Sequence, residues 1–136
     1  MRKILLASTC LAAVSATPAL AETVNGNALT TPIRTSTVKG GTDADDAKLA
    51  SSGSIKPTSG TAVTIDSNHK VVNEGTIQIT NSDNARGIFA DAGVVSSITN
   101  AASGKIIIDE SYTPTDIDKD GDIDGPFAVG SNRVGI

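Results

Sequence analysis

The clearest structural pattern in this chain is Val72-Asn73-Glu74-Gly75-Thr76-Ile77-Gln78-Ile79-Thr80. An Asn and a Gly precede a short run in which polar and apolar residues alternate. Alternation is typical of a β-strand with one buried face, so Ile77 and Ile79 are predicted to point inward. Gly and Asn are expected to take the left-handed backbone conformations of the corners, which β-branched residues avoid.

A Gly-x-Ile motif recurs along the chain, at Gly53, Gly75 and Gly104, with spacings of 22 and 29 residues. From residue 22 onward the chain holds 13 Ile and 9 Val but only two Leu, and β-branched residues suit a pleated sheet better than a helix. We therefore predict an all-β chain that forms a right-handed parallel β-helix, or solenoid. A short β-sandwich is the alternative that would give similar spacing.

A second element recurs as Ala-Arg-Gly-Ile at 85–88 and Asn-Arg-Val-Gly-Ile at 132–136. In the first copy Gly87 lies 12 residues after Gly75, whereas in the second copy Gly135 lies 31 residues after Gly104. The difference predicts an insertion of 19 residues in the later repeat.

Charge and aromatic content exclude some classes of function. The chain has 11 Lys and Arg against 15 Asp and Glu, a net charge of −4. Nucleic-acid binding requires a basic surface that neutralises phosphates, so no nucleic-acid partner is predicted. The three aromatic residues are Phe89, Tyr112 and Phe127. This number is small for the core of a compact enzyme, because such cores rely on large aromatic side chains.

Residues 1–21 are predicted to be a cleaved signal peptide. Arg2 and Lys3 provide its positive start, residues 4–14 form an apolar run, and Ala19-Leu20-Ala21 supplies small residues before the cleavage site. The apolar run is too short to span a bilayer. The only cysteine, Cys10, would leave with this leader, so the remaining chain would have no disulfide to stabilise it.

The remaining chain divides into two parts. Residues 22–52 are polar and weakly patterned, and they are predicted to form an N-terminal cap or a flexible segment, in which Thr23-Val24 and Thr37-Val38 resemble strand starts. The β-helix repeats are predicted over 53–136, with an acidic loop inserted at about 109–127. Two clear turns and a partial one fall below the roughly three that a solenoid needs, which predicts a fragment of a longer protein.

The leader, the cysteine-free remainder and the repeats together resemble the passenger regions of Gram-negative autotransporters. Val72-Asn73-Glu74-Gly75-Thr76-Ile77 and Ala85-Arg86-Gly87-Ile88 carry the resemblance, with partial copies at 98–100, 104–106 and 133–136. It covers roughly residues 50–136 and the leader. The resemblance implies export through the Sec machinery and a β-helix displayed on the cell surface. In that family a β-barrel anchors the passenger in the outer membrane. No aromatic-girdled barrel strands are recognised in this sequence, so contact with the outer membrane is expected only through a barrel missing from this chain, and a periplasmic or secreted location is expected if no barrel follows.

The most acidic stretch is residues 116–125, Asp-Ile-Asp-Lys-Asp-Gly-Asp-Ile-Asp-Gly. Calcium loops place oxygen ligands at alternate positions around a glycine at the sixth position. Five carboxylates this close repel one another unless a cation neutralises them. We therefore predict a weak calcium site, of about 10⁻⁴–10⁻³ M affinity, with these ligands: Asp116, Asp118, Asp120, Asp122 through its backbone carbonyl, and Asp124.

Two departures separate this loop from an EF-hand. The twelfth position is Phe127 rather than the usual bidentate Glu, and Pro114 and Pro126 stand where flanking helices would begin and end. The loop is more similar to the calcium loops of dockerins and related extracellular repeats. A solvated acidic loop that binds no metal is the alternative interpretation.

The sequence singles out no catalytic site. His69 is the only histidine, and its neighbours Asp66 and Ser67 cannot be assigned to a triad without geometry. Solvation explains the scattered carboxylates that glycoside cleavage would need: Asp66, Glu74, Asp83, Asp91 and Glu110. We predict a non-enzymatic, exported surface protein with a display or adhesion role and a ligand that the sequence does not name. The alternatives are a secreted or periplasmic calcium-binding module and a fragment of a β-helical polysaccharide-degrading enzyme.

Overall fold

The computed structural model describes residues 22–136, so the predicted signal peptide at 1–21 lies outside the described residues. Within 22–136 the chain forms eleven β-strands and no helix. The strands are β1 (Thr23–Asn25), β2 (Ala28–Leu29), β3 (Ile33–Arg34), β4 (Ala47–Leu49), β5 (Ser54–Ile55), β6 (Thr61–Ile65), β7 (Val71–Asn73), β8 (Thr76–Thr80), β9 (Arg86–Ala90), β10 (Ile98–Asn100) and β11 (Lys105–Asp109).

The strands form three parallel sheets, which we call faces A, B and C. Face A is β1-β4-β7-β10, face B is β2-β5-β8-β11, and face C is β3-β6-β9. The chain visits the faces in the order A, B, C and then returns to A, so that each circuit adds one strand to every sheet. The described residues therefore form a parallel β-solenoid of about three turns, which confirms the predicted all-β solenoid.

The pairing register matches the sequence repeats. Ser54 pairs with Thr76, and Thr76 pairs with Lys105, so the three Gly-x-Ile motifs stack directly on face B. Arg86 forms a parallel bridge with Val134, and the amide of Gly87 donates to the carbonyl of Val134 over 2.9 Å. The two copies of the second element thus lie in adjacent turns, and the residues between β11 and this bridge form a loop outside the sheets.

Rows of β-branched side chains fill the solenoid. Ile77 and Ile79 are each 1% exposed, which confirms that both point inward from β8. Paired strands stack these side chains into apolar rows along the axis, so no single turn can bury its own core. The largest fully buried apolar side chains are Ile55, Ile65, Ile77, Ile79, Ile88 and Val63.

The solenoid begins earlier in the chain than the sequence patterns indicated. Residues 22–52 were predicted to form a cap or flexible segment, yet they carry β1 to β4, and β4 pairs with both β1 and β7. A strand begins at Thr23 as suggested, whereas Thr37 and Val38 lie in a turn. The apolar pattern is weak here because polar side chains make the cross-turn contacts: Thr35 is fully buried, and Asp45 is 8% exposed.

The asparagines at the corners have two different structural roles. Asn84 and Asn132 have left-handed φ values of 55° and 54°, and the Asn132 amide donates to the Asn84 side-chain oxygen over 3.0 Å. The buried Asn73 instead donates to the Asn100 side-chain oxygen over 2.7 Å, which ties face A of one turn to the next. The Gly-x-Ile glycines have no left-handed φ, so the expectation of left-handed corners does not apply to them.

Candidate metal site in the inserted loop

The inserted loop, residues 110–131, leaves the solenoid at the end of β11 and returns beside β9 of face C, where Val134 bridges to Arg86. Hydrogen bonds to the preceding turn fix both of its ends. Asn81 donates to the Ser111 hydroxyl over 2.8 Å and accepts from the Ser111 amide over 2.8 Å. At the returning end, the Ser131 amide donates to the Asp83 carboxylate over 2.8 Å. The loop therefore has a fixed base on a rigid scaffold.

An ion pair closes the neck of the loop. Arg133 donates to Glu110 over 2.8 Å, and the side chains are 17% and 13% exposed. The amides of Val129 and Gly130 also donate to the Glu110 carboxylate, over 3.2 and 2.9 Å. The hydrogen bond from Arg133 is the main cause of a lowered Glu110 pKa, although partial burial acts in the opposite direction. No sequence motif marks this pair, and the only signal for it is the presence of opposite charges at the two ends of the insertion.

Replacing Glu110 with glutamine should loosen the neck without unfolding the solenoid. Glutamine keeps the shape of the side chain but lacks the negative charge. Arg133 balances that charge, and two backbone amides stabilise it by hydrogen bonds. We expect hydrogen exchange at Val129 and Gly130 to accelerate, because hydrogen bonds to a neutral amide are weaker than hydrogen bonds to a carboxylate. Glu74→Gln, which breaks a more exposed ion pair with Lys48 on face A, is the matched control. Unchanged exchange at both amides would contradict the neck assignment.

Three of the five predicted metal ligands converge. Carboxylate oxygens of Asp116, Asp118 and Asp120 all lie within 4.8 Å of one another. The Asp116 carboxylate accepts hydrogen bonds from the amides of Lys119 and Gly121, over 2.5 and 3.1 Å. Gly121 turns the chain with a φ of 104°, which only glycine adopts without strain. The loop thus curls around its first carboxylate.

The remaining two predicted ligands are placed differently. Asp124 accepts hydrogen bonds from the amides of Ile117 and Asp118, over 2.7 and 3.4 Å, so its carboxylate ties the end of the acidic stretch to its beginning. Asp122 was predicted to act through its backbone carbonyl, and its side chain is not part of the converging group. Phe127, at the twelfth position, is 69% exposed. The side chains of Asp116, Asp118 and Asp120 are therefore the best-placed ligands.

This arrangement suits a hard cation that accepts oxygen ligands in flexible geometry. Calcium takes six to eight oxygens at about 2.3–2.6 Å, from carboxylates, carbonyls and water. Three carboxylates would supply part of that number, and backbone carbonyls and water would have to supply the rest. Among residues 22–136, no other group of three or more His, Cys, Asp or Glu side chains brings its ligand atoms this close together.

The side chains considered for catalysis are held by other partners. The Asp46 carboxylate lies 3.2 Å from Nδ1 of His69. Ser67 donates to the Thr35 hydroxyl over 2.8 Å, and Asp66 pairs with Arg34 over 2.9 Å. The structure therefore does not assemble Asp66, Ser67 and His69 into a triad.

Comparisons with known proteins add no family assignment. No helix among residues 22–136 is long and apolar enough to cross a membrane. Protein-family models, curated protein sequences and solved structures contain no match to this chain.

Proposed function

We propose that this chain is an exported, non-enzymatic solenoid that displays its surface outside the cell, and that calcium orders its inserted loop. The observation that carries the calcium proposal is the convergence of the Asp116, Asp118 and Asp120 carboxylates in a loop that projects from a rigid scaffold. Among residues 22–136, no Lys, Arg or His side-chain nitrogen lies within 4.0 Å of these carboxylates. Bound calcium would therefore offset their mutual repulsion.

The display proposal rests on the architecture and on the resemblance to autotransporter passengers. A solenoid presents long, regular faces to solvent, and such surfaces suit binding to extended partners. The stacked Gly-x-Ile motifs that carry the resemblance also set the register of face B. Calcium at millimolar concentration is typical of extracellular fluids, where weak sites of this kind are filled.

Calcium titration followed by amide NMR tests the metal site. We expect the amides of 116–124 to shift with a dissociation constant of about 10⁻⁴–10⁻³ M, while solenoid amides stay in place. The double variant Asp118→Asn and Asp120→Asn should weaken binding at least tenfold, because it removes two of the three converging charges. Asp43→Asn, in an exposed loop of the first turn, is the matched control. Absence of shifts in the loop, or equal weakening by the control, would contradict the proposal.

A further inference from the structure

Face C carries an open groove of about 450 Å³, a volume within the usual range for small-ligand sites. Its lining includes Arg34, Thr61, Arg86, Phe89 and Asp91. This groove lies on the sheet β3-β6-β9, and none of its lining residues belongs to the inserted loop.

The strand register builds the groove from three consecutive turns. Arg34 of β3 pairs with Thr64 of β6, and Thr64 pairs with Phe89 of β9. Adjacent strands lie about 4.8 Å apart, so the three side chains form one row across the face. Three positions earlier in this register, Thr61 pairs with Arg86. Two arginines and a phenylalanine that are far apart in sequence therefore share one surface.

Arg86 stacks on Phe89 and forms no ion pair within the part of the chain that the structure describes. Its guanidinium carbon lies 4.5 Å from the centre of the Phe89 ring, and stacking of this kind leaves the N–H edge of the guanidinium free. Among residues 22–136, no carboxylate lies within 4.0 Å of this guanidinium. Arg34 donates to Asp66 through Nη1 alone, and its side chain is 57% exposed, so further donors remain available.

The distribution of arginines in this acidic protein is uneven. Residues 22–136 contain three arginines, and Glu110 holds Arg133 in the neck of the loop. The other two both line the groove on face C. A guanidinium presents parallel N–H donors that match a carboxylate in two-point contact. The groove therefore has the donor chemistry for an anion with planar oxygens.

Other lining groups narrow the class of ligand. Phe89 is 37% exposed and offers an apolar ring that can pack against the C–H face of a sugar. Thr61 and Asp91 offer a hydroxyl and a carboxylate that can bind sugar hydroxyl groups. We propose that the groove on face C binds an oligosaccharide that carries carboxylates, with Arg86 as its principal anchor. This site goes beyond the proposed function and does not depend on calcium.

The probe for this proposal is a tetramer of galacturonic acid, titrated into the full protein after a chelating resin has removed calcium from both solutions. We expect amide shifts along β3, β6 and β9. Arg86→Gln should weaken binding at least tenfold, because it removes a charge-assisted hydrogen bond. Phe89→Leu should also weaken it, whereas Lys105→Gln, which removes a positive charge on face B, should not. Amide spectra of each variant without the probe establish that the solenoid is intact.

Four outcomes would overturn the proposal. They are equal affinity for a neutral tetramer of glucose, unchanged binding by Arg86→Gln, shifts confined to faces A and B, and tighter binding of an acidic peptide than of the tetramer. Because calcium is removed before the titration, a failed metal site leaves this result unaffected. Conversely, loss of sugar binding leaves the calcium titration of the loop unaffected.

Discussion

Replacement of Gly75 with alanine is expected to cost about 3 kcal/mol or more in the free energy of unfolding. A Cβ atom at this position would overlap the carbonyl oxygen of Gly53 and lie 2.5 Å from that of Ala50 and 2.9 Å from Cγ of Leu49. The Gly53 carbonyl cannot withdraw without loss, because it accepts a hydrogen bond from the Thr76 amide over 3.1 Å. The steric conflict is therefore with backbone that the solenoid ladder itself requires.

Chemical denaturation of the wild-type protein and the variant measures this effect. Gly135→Ala is the matched control, because the nearest heavy atom to its added Cβ would be Cγ2 of Ile106, at an ordinary 3.8 Å. The control should change the free energy of unfolding by less than about 1 kcal/mol. Similar losses for both variants would show that glycine is required in these turns for a reason other than close packing between corners.

Asp66→Asn should destabilise the protein by about 2 kcal/mol at pH 7. The Asp66 carboxylate accepts hydrogen bonds from Arg34 and from the amide and hydroxyl of Ser36, each over 2.9 Å. Burial alone would raise the pKa of Asp66, but the hydrogen bonds from Arg34 and Ser36 outweigh it and lower the pKa to about 2. This network joins the first turn to the second.

The lowered pKa of Asp66 also sets a pH dependence. The ionised carboxylate stabilises the folded state fully above the pKa of the unfolded chain, near 3.8, and this contribution is lost as pH falls towards 2. Urea denaturation at pH 7 and at pH 2.5 should therefore show a large gap between wild type and variant at pH 7 and a small one at pH 2.5. Asp91→Asn, on the same face, is the control. A gap of equal size at both pH values would contradict this role of the Asp66 charge.

The structure of the central turns could be predicted from the sequence because each of its features is local. Alternation in β8 predicted the inward Ile77 and Ile79, and the recurrence of Gly-x-Ile predicted which strands stack. The loop was found in the same way, since an insertion interrupts a register that is otherwise regular. Side-chain period and spacing are properties of a single strand and its corner, so they can be recognised without knowledge of the partners.

The first turn and the groove on face C could not be predicted in this way. Thr35 is buried because Asp66 and Ser67, about thirty residues later, surround it with hydrogen bonds. Arg34 and Arg86 belong to different turns, and only the stacking of β3, β6 and β9 brings them to one groove. Polar contacts between turns leave no periodic pattern in the chain, because each partner is an ordinary surface residue when it is considered alone.

Residue patterns alone were therefore enough to predict the all-β solenoid, the stacking of its Gly-x-Ile motifs and the position of the acidic stretch. The start of the solenoid, the aspartates that converge in the loop and the steric requirement for Gly75 became apparent only from the folded chain. Apolar periodicity is a property of each strand, whereas hydrogen-bond partners and close approaches between turns exist only after the turns have stacked.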